Sequence, residues 1–88
     1  MLEIKKVINE KYNTKDINYY SINDLEMLEF NFNLYVDIKI LKFKEHYNLL
    51  ITILNSDLFP TKNITINLEY KTYDKLLKDL EDLHFRFL

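Results

Sequence analysis

From Leu28 to Ile40 the chain alternates without a break. Leu28, Phe30, Phe32, Leu34, Val36, Ile38 and Ile40 hold the even positions, and Glu29, Asn31, Asn33, Tyr35, Asp37 and Lys39 hold the odd ones between them. Period-two alternation of this kind marks a strand with one face inward. A two-residue turn inside the run would exchange the two faces, so the pattern predicts a single long, bent strand near 27–42. The parity then reverses, with Tyr47, Leu49, Ile51 and Ile53 apolar at odd positions. A hairpin centred on Lys44-Glu45 accounts for the reversal and pairs Ile40 with Leu49, Ile38 with Ile51 and Val36 with Ile53. Lys44-Glu45 is poor chemistry for a two-residue turn, and a four-residue loop keeps the same register. The second strand is therefore expected near 46–54. Ile64, Ile66, Leu68 and Tyr70 alternate with Thr65, Asn67 and Glu69, which predicts a third near 63–70.

The ends of the chain carry the other periodicity. Ile4, Val7, Ile8 and Tyr12 recur at helical spacing within 2–12, with Lys5, Lys6, Glu10 and Lys11 largely opposite. After Thr72, a candidate N-cap, the residues Tyr73, Leu76, Leu77, Leu80, Leu83, His84 and Phe87 form an apolar stripe. Asp74, Lys75, Lys78, Asp79, Glu81 and Asp82 form the polar face of this second helix, and His84 and Arg86 complement the dipole at its C-terminal end. Residues 17–26 fit neither period. Ser21 with Asp24 three residues later has the spacing of a weak helix cap, so the segment reads as a single helical turn or as a short strand over 17–20. The expected architecture is a single α+β domain spanning 1–88, of order αβββα, with a three-stranded antiparallel sheet and both helices on one face.

Composition narrows the chemistry. Glycine, alanine, cysteine, glutamine and tryptophan are absent from the 88 residues, while Phe, Tyr, Met, Ile, Asn and Lys supply 46. Those six have AT-rich codons, so the skew points to an AT-rich genome. Without glycine, any turn that needs positive φ falls to Asn or Asp. The hydrophobic fraction of 48% with 30% charged residues is that of a globular domain, and a net charge of −2 is unlike that of a polybasic nucleic-acid or membrane binder. The absence of cysteine excludes disulfides, zinc ribbons and thiol catalysis. No apolar run reaches the ~18 residues of a membrane span. The opening Met1-Leu2-Glu3-Ile4-Lys5-Lys6 lacks the order of a signal peptide, and a cytoplasmic location is expected.

No catalytic, cofactor or metal site is expected either. His46 and His84 are the only imidazoles, no Asp-x-Asp calcium loop occurs, and glycine-dependent phosphate cradles are impossible. Ser21, Ser56 and the five threonines sit in no recognisable nucleophile motif, and the acids of the last helix read as a solvated face. The order helix, three strands, helix resembles that of the double-stranded RNA-binding domain. That resemblance would place Lys71, Lys75 and Lys78 on phosphates, without the Gly-rich, Lys-Lys-rich signature.

The positive lead is apolar residues on the parity assigned to water. The hairpin register sets Tyr35 beside Leu54, Lys39 beside Leu50 and Leu41 beside Asn48, with Leu58 and Phe59 in the following loop. Tyr35, Leu50, Leu54, Leu58 and Phe59 are therefore the candidate partner-binding residues of a non-enzymatic protein-binding module. In size and composition the chain resembles small phage or mobile-element inhibitors, anti-CRISPR proteins among them, with no residue signature behind the likeness. Such an inhibitor would act by direct contact with a host protein, since −2 is too little charge for nucleic-acid mimicry. A subunit of a larger homo- or hetero-oligomer is the further alternative.

Overall fold

The structure, a computed structural model, describes residues 1–12, 16–33, 35–53 and 64–86, with Asn33 described by its backbone. Helix α1 (Leu2–Tyr12) is followed by strands β1 (Asn18–Ile22), β2 (Leu25–Asn33), β3 (Val36–Lys42), β4 (Tyr47–Ile53) and β5 (Ile64–Tyr70), and by helix α2 (Tyr73–Arg86). The strands form one antiparallel five-stranded sheet in the order β1-β2-β3-β4-β5. The fold is α+β with a helix at each end of the chain, as the periodicities predict, but it has five strands where three were expected.

Both extra strands have a physical cause. The single strand expected over 27–42 is a hairpin. Asn33 pairs with Val36, which leaves two positions between the strands, and Asn31 pairs with Asp37. The register therefore slips at Phe32, a β-bulge that inserts one extra residue in β2. A two-residue turn exchanges the faces and the one-residue bulge exchanges them back, so Leu28 opposes Ile40 and Phe30 opposes Ile38 on one side. The alternation passes through the turn unaltered.

The second correction lies at 17–26, where the Ser21–Asp24 helical turn gives way to strand β1 and a tight hairpin. Ile22 pairs with Leu25 across Asn23-Asp24. Asn23 has φ 55° and is the one described non-glycine residue with positive φ. In a chain without glycine, asparagine takes the left-handed position because its short polar side chain tolerates it best.

The β3–β4 register matches expectation. Val36 opposes Ile53, Ile38 opposes Ile51 and Ile40 opposes Leu49. In the β3–β4 connection the Phe43 N–H donates to the His46 carbonyl at 2.9 Å, closing a two-residue loop over Lys44-Glu45. β5 adds to β4 with Ile51 opposite Ile66 and Leu49 opposite Leu68.

One face of the sheet carries the core. Leu28, Phe30, Val36, Ile38, Ile40, Leu49, Ile51 and Tyr70 are buried together with Ile4 and Ile8 of α1 and Leu76 and Leu80 of α2. Both helices therefore lie on the same side. At one end the α1 ring of Tyr12 meets Phe32 at 5.3 Å and His84 of α2 at 4.5 Å, and Phe32 meets His84 edge-on at 4.8 Å. Beside this cluster, Lys11 bridges to Glu81 at 2.9 Å. The pair is exposed and adds little stability. On the far side the buried Tyr70 hydroxyl donates to Asp79 Oδ2 at 2.7 Å, which ties β5 to α2; burial and this acceptor push the phenol far above its ordinary value.

Ile38→Ala or Ile51→Ala should each cost about 2–5 kcal/mol, because the two side chains oppose each other inside the core. Substituting Asn31 or Thr52 by Ala, on the opposite parity, should cost much less in the same urea titrations. Asn23→Ala should cost about 1 kcal/mol and Asn23→Gly nothing, since glycine accepts φ 55° freely.

Candidate functional site

With both helices on one side, the odd residues of β2 and β3 and the even residues of β1 and β4 stand on the other face, which no described element covers. The registers order them in rows across the sheet. Towards the β2–β3 turn the rows are polar. Asn31 opposes Asp37, and with its amide turned to face an acceptor it donates to Asp37 Oδ1 at 2.7 Å. Burial, with Glu29 nearby, raises the Asp37 carboxyl above its ordinary value, against the pull of Lys39. Thr52 and Thr65 share a hydrogen bond at 3.3 Å, and Asn48 donates to Asn67 at 3.0 Å.

Towards the β1–β2 turn the rows become apolar. Tyr20 opposes Met27, and Met27 opposes Leu41. Ile22 opposes Leu25, and continuing the same register past the strand end brings Phe43 next to Leu25. The Phe43 ring is stacked on His46 at 4.7 Å, and His46 Nε2 lies 3.9 Å from Glu69 Oε1. Ile22 is 69% exposed, Tyr20 46% and Phe43 36%, over half-buried Leu25, Met27 and Leu41. Six apolar side chains, five from three strands and Phe43 from the β3–β4 loop, thus form two adjoining rows, edged by Glu29, Lys39, Asn48 and His46. Surface leucines taken singly carry no meaning, but a contiguous patch with a polar rim has the anatomy of a contact surface.

The edge strand that supplies Tyr20 and Ile22 is anchored from the helix side. The Tyr19 hydroxyl donates to Glu26 Oε1 at 2.6 Å. Lys42 Nζ and the Met1 nitrogen lie 3.8 and 3.6 Å from Glu26 Oε2. The hydrogen bond from Tyr19 outweighs desolvation and, with the two cations, holds the Glu26 carboxyl below its usual range. The same hydrogen bond raises the Tyr19 phenol.

Of the expected contact residues, Tyr35 and Leu50 are described. Tyr35 is exposed in the β2–β3 turn, about 20 Å along β3 from Leu41 by the rise of a strand. Leu50 stands on the helix-free face between Lys39 and Asn67, adjoining the patch. Leu54, Leu58 and Phe59 lie outside the described residues. Lys71, Lys75 and Lys78 are exposed, and the first two line a hollow of about 400 Å³ together with Glu69 and Asp79. The five-stranded sheet also departs from the order helix, three strands, helix on which the RNA-binding-domain resemblance rested.

Tyr20, Ile22, Leu25, Met27 and Phe43 were not among the expected contact residues. A hairpin reading of Asn23-Asp24 would have found the first four, since it sets Tyr20 beside Met27 and Ile22 beside Leu25. Among the described residues no group of three or more His, Asp or Glu is placed to hold a metal ion. His46 stands on the open face and His84 packs against Tyr12 and Phe32. No described helix is long and apolar enough to cross a membrane. No protein-family model, curated protein or solved structure gives a significant match to the chain.

The Glu26 anchor has a pH signature. A carboxyl whose folded pKa is depressed stabilises the fold above its unfolded pKa, and that stabilisation is lost as pH falls through the folded value. Glu26→Gln should therefore lower the thermal midpoint at neutral pH, and the gap to the parent should close below the ordinary carboxylate range. A gap that persists in acid would mean that the charge on Glu26 does not matter.

Proposed function

We propose that this domain is a non-enzymatic protein-binding module that docks a protein partner on the helix-free face of its sheet. The observation that carries the reading is the apolar patch of Tyr20, Ile22, Leu25, Met27, Leu41 and Phe43, with Leu50 beside it, standing where strand parity assigns water. Its make-up suits a contact surface. Two aromatics and a methionine supply area and adaptability, and the half-buried aliphatics beneath them are rigid because the sheet holds them. Glu29, Lys39, Asn48 and His46 would set orientation at the rim. The small size, AT-rich composition and lack of catalytic motifs fit a phage or mobile-element inhibitor, anti-CRISPR-like in class, that acts by direct contact with a host protein. A net charge of −2 favours contact over imitation of a nucleic acid.

The test compares capture of a host partner by the parent, by Tyr20→Lys with Ile22→Lys, and by Lys71→Glu with Lys75→Glu and Lys78→Glu. Tyr20 and Ile22 are exposed enough for the first variant to keep the parent's unfolding midpoint, to within about 0.5 kcal/mol. It should lose affinity by roughly 30-fold or more, as loss of a hot spot does. The lysine variant should bind as the parent does, and raising salt should change affinity little. Undiminished capture by the first variant would move the interface off this patch. Binding that collapses with salt and with the lysine variant would favour phosphate recognition.

A further inference from the structure

Among the described residues β5 has a strand neighbour on one side alone, and which of its backbone groups face the other side follows from the β3–β4 loop. Because the Phe43 N–H bonds the His46 carbonyl, Phe43 and His46 form a hydrogen-bonded pair. Hydrogen-bonded and non-hydrogen-bonded pairs alternate along an antiparallel ladder. Asn48, Leu50 and Thr52 therefore turn their backbone groups to β3, and Tyr47, Leu49, Ile51 and Ile53 turn theirs to β5. Their partners Tyr70, Leu68, Ile66 and Ile64 are satisfied by β4. The N–H and C=O groups of Thr65, Asn67 and Glu69 point away from the sheet.

Native edge strands are usually blunted by lysine, proline, a bulge or an inward charge. β5 has none of these over its seven residues, and its register with β4 is unbroken. Its helix-side residues are also left uncovered. Ile64 is 57% exposed, Ile66 42% and Leu68 38%, although Ile51 and Leu49 opposite the last two are buried. Between Leu68 and the α2 residues Asp79, Asp82, Leu83 and Arg86 lies a hollow of about 190 Å³.

We propose that β5 pairs with β5 of a second copy about a twofold axis through Asn67, joining two sheets into one. Asn67 is the midpoint of Ile64–Tyr70 and also one of the outward-facing residues. Full overlap of the two strands and correct hydrogen-bond parity are therefore met by the same register. Asn67 exchanges bonds with its symmetry mate, and Thr65 with Glu69 of the other copy, so every outward group is satisfied. On the helix side Ile66 falls opposite Leu68 and Ile64 opposite Tyr70, which merges the two exposed stripes into one apolar floor. The charges agree. Glu69, the one ionised side chain on the strand, meets a threonine, whereas an axis through Glu69 would set two carboxylates face to face. The surface is separate from the apolar patch at the other edge of the sheet, so the inference stands or falls independently of the proposed function.

The test uses the full chain, which has no cysteine, and three variants. Sedimentation velocity over a micromolar concentration series should show the parent passing from monomer to dimer. Ile66→Lys, at an exposed position, should keep the thermal midpoint and weaken the dimer by tenfold or more. Under mild oxidation Asn67→Cys should form a covalent dimer, because a hydrogen-bonded pair sets Cα atoms about 5.5 Å apart, within disulfide reach. Thr65→Cys should not, since its symmetry mate lies four residues along the strand, about 13 Å away. A parent that stays monomeric throughout would overturn the proposal and leave the edge to a strand of another protein. Equal cross-linking at both positions, or a dimer indifferent to Ile66→Lys, would overturn it too and place any association on another surface.

Discussion

Every strand must deliver its apolar parity to one pair of helices, and the connections are shaped by that requirement. Each connection with an even number of residues exchanges odd for even in an antiparallel meander, the two-residue turns and the longer β4–β5 connection alike. The helix-facing residues are accordingly odd in β1, even in β2, odd in β4 and even in β5, as Tyr19, Leu28, Leu49 and Tyr70 show. Between β2 and β3 the exchange is cancelled by the bulge at Phe32, which keeps Phe30 and Ile38 on the same side. That bulge also leaves Phe32 facing the helices, where its ring joins Tyr12 and His84 and closes the end of the core. A local irregularity in one strand thus serves both the register of the sheet and the seating of both helices.

Where the alternation was one-sided, the chain was legible. The β3–β4 register, the position of β5 and both helices follow from apolar spacing alone, because each of these elements has one polar and one apolar face. The β2–β3 hairpin was hidden for a specific reason, since a turn with a compensating bulge reproduces the pattern of an uninterrupted strand. β1 was hidden for another. Tyr19, Tyr20 and Ile22 put large apolar groups on both of its faces, so it shows no alternation, and its turn depends on an asparagine where a glycine would have announced it. The candidate patch was missed with it. Leu50 and Leu41 were correctly read onto the open face, but their neighbours Tyr20, Ile22, Leu25 and Met27 become a cluster only once β1 is recognised as a strand.

The two surfaces differ in physical kind. The patch is a sheet face, which presents side chains while the backbone groups beneath them pair within the sheet. The β5 edge is the reverse, a row of backbone groups with no partner strand among the described residues, flanked by a modest apolar stripe. Faces of this sort discriminate among partners by shape, whereas edges accept strands and rely on register. A small chain with one core can carry both because its helices are stacked on a single side.

Side-chain NMR with a soluble paramagnetic probe would show whether the face opposite the helices is open to solvent. The methyl signals of Met27, Leu25 and Leu41 should broaden strongly while those of Leu28, Ile38 and Ile40 on the helix side persist. Equal protection of both sets would contradict the account, because it would mean that the face opposite the helices is covered.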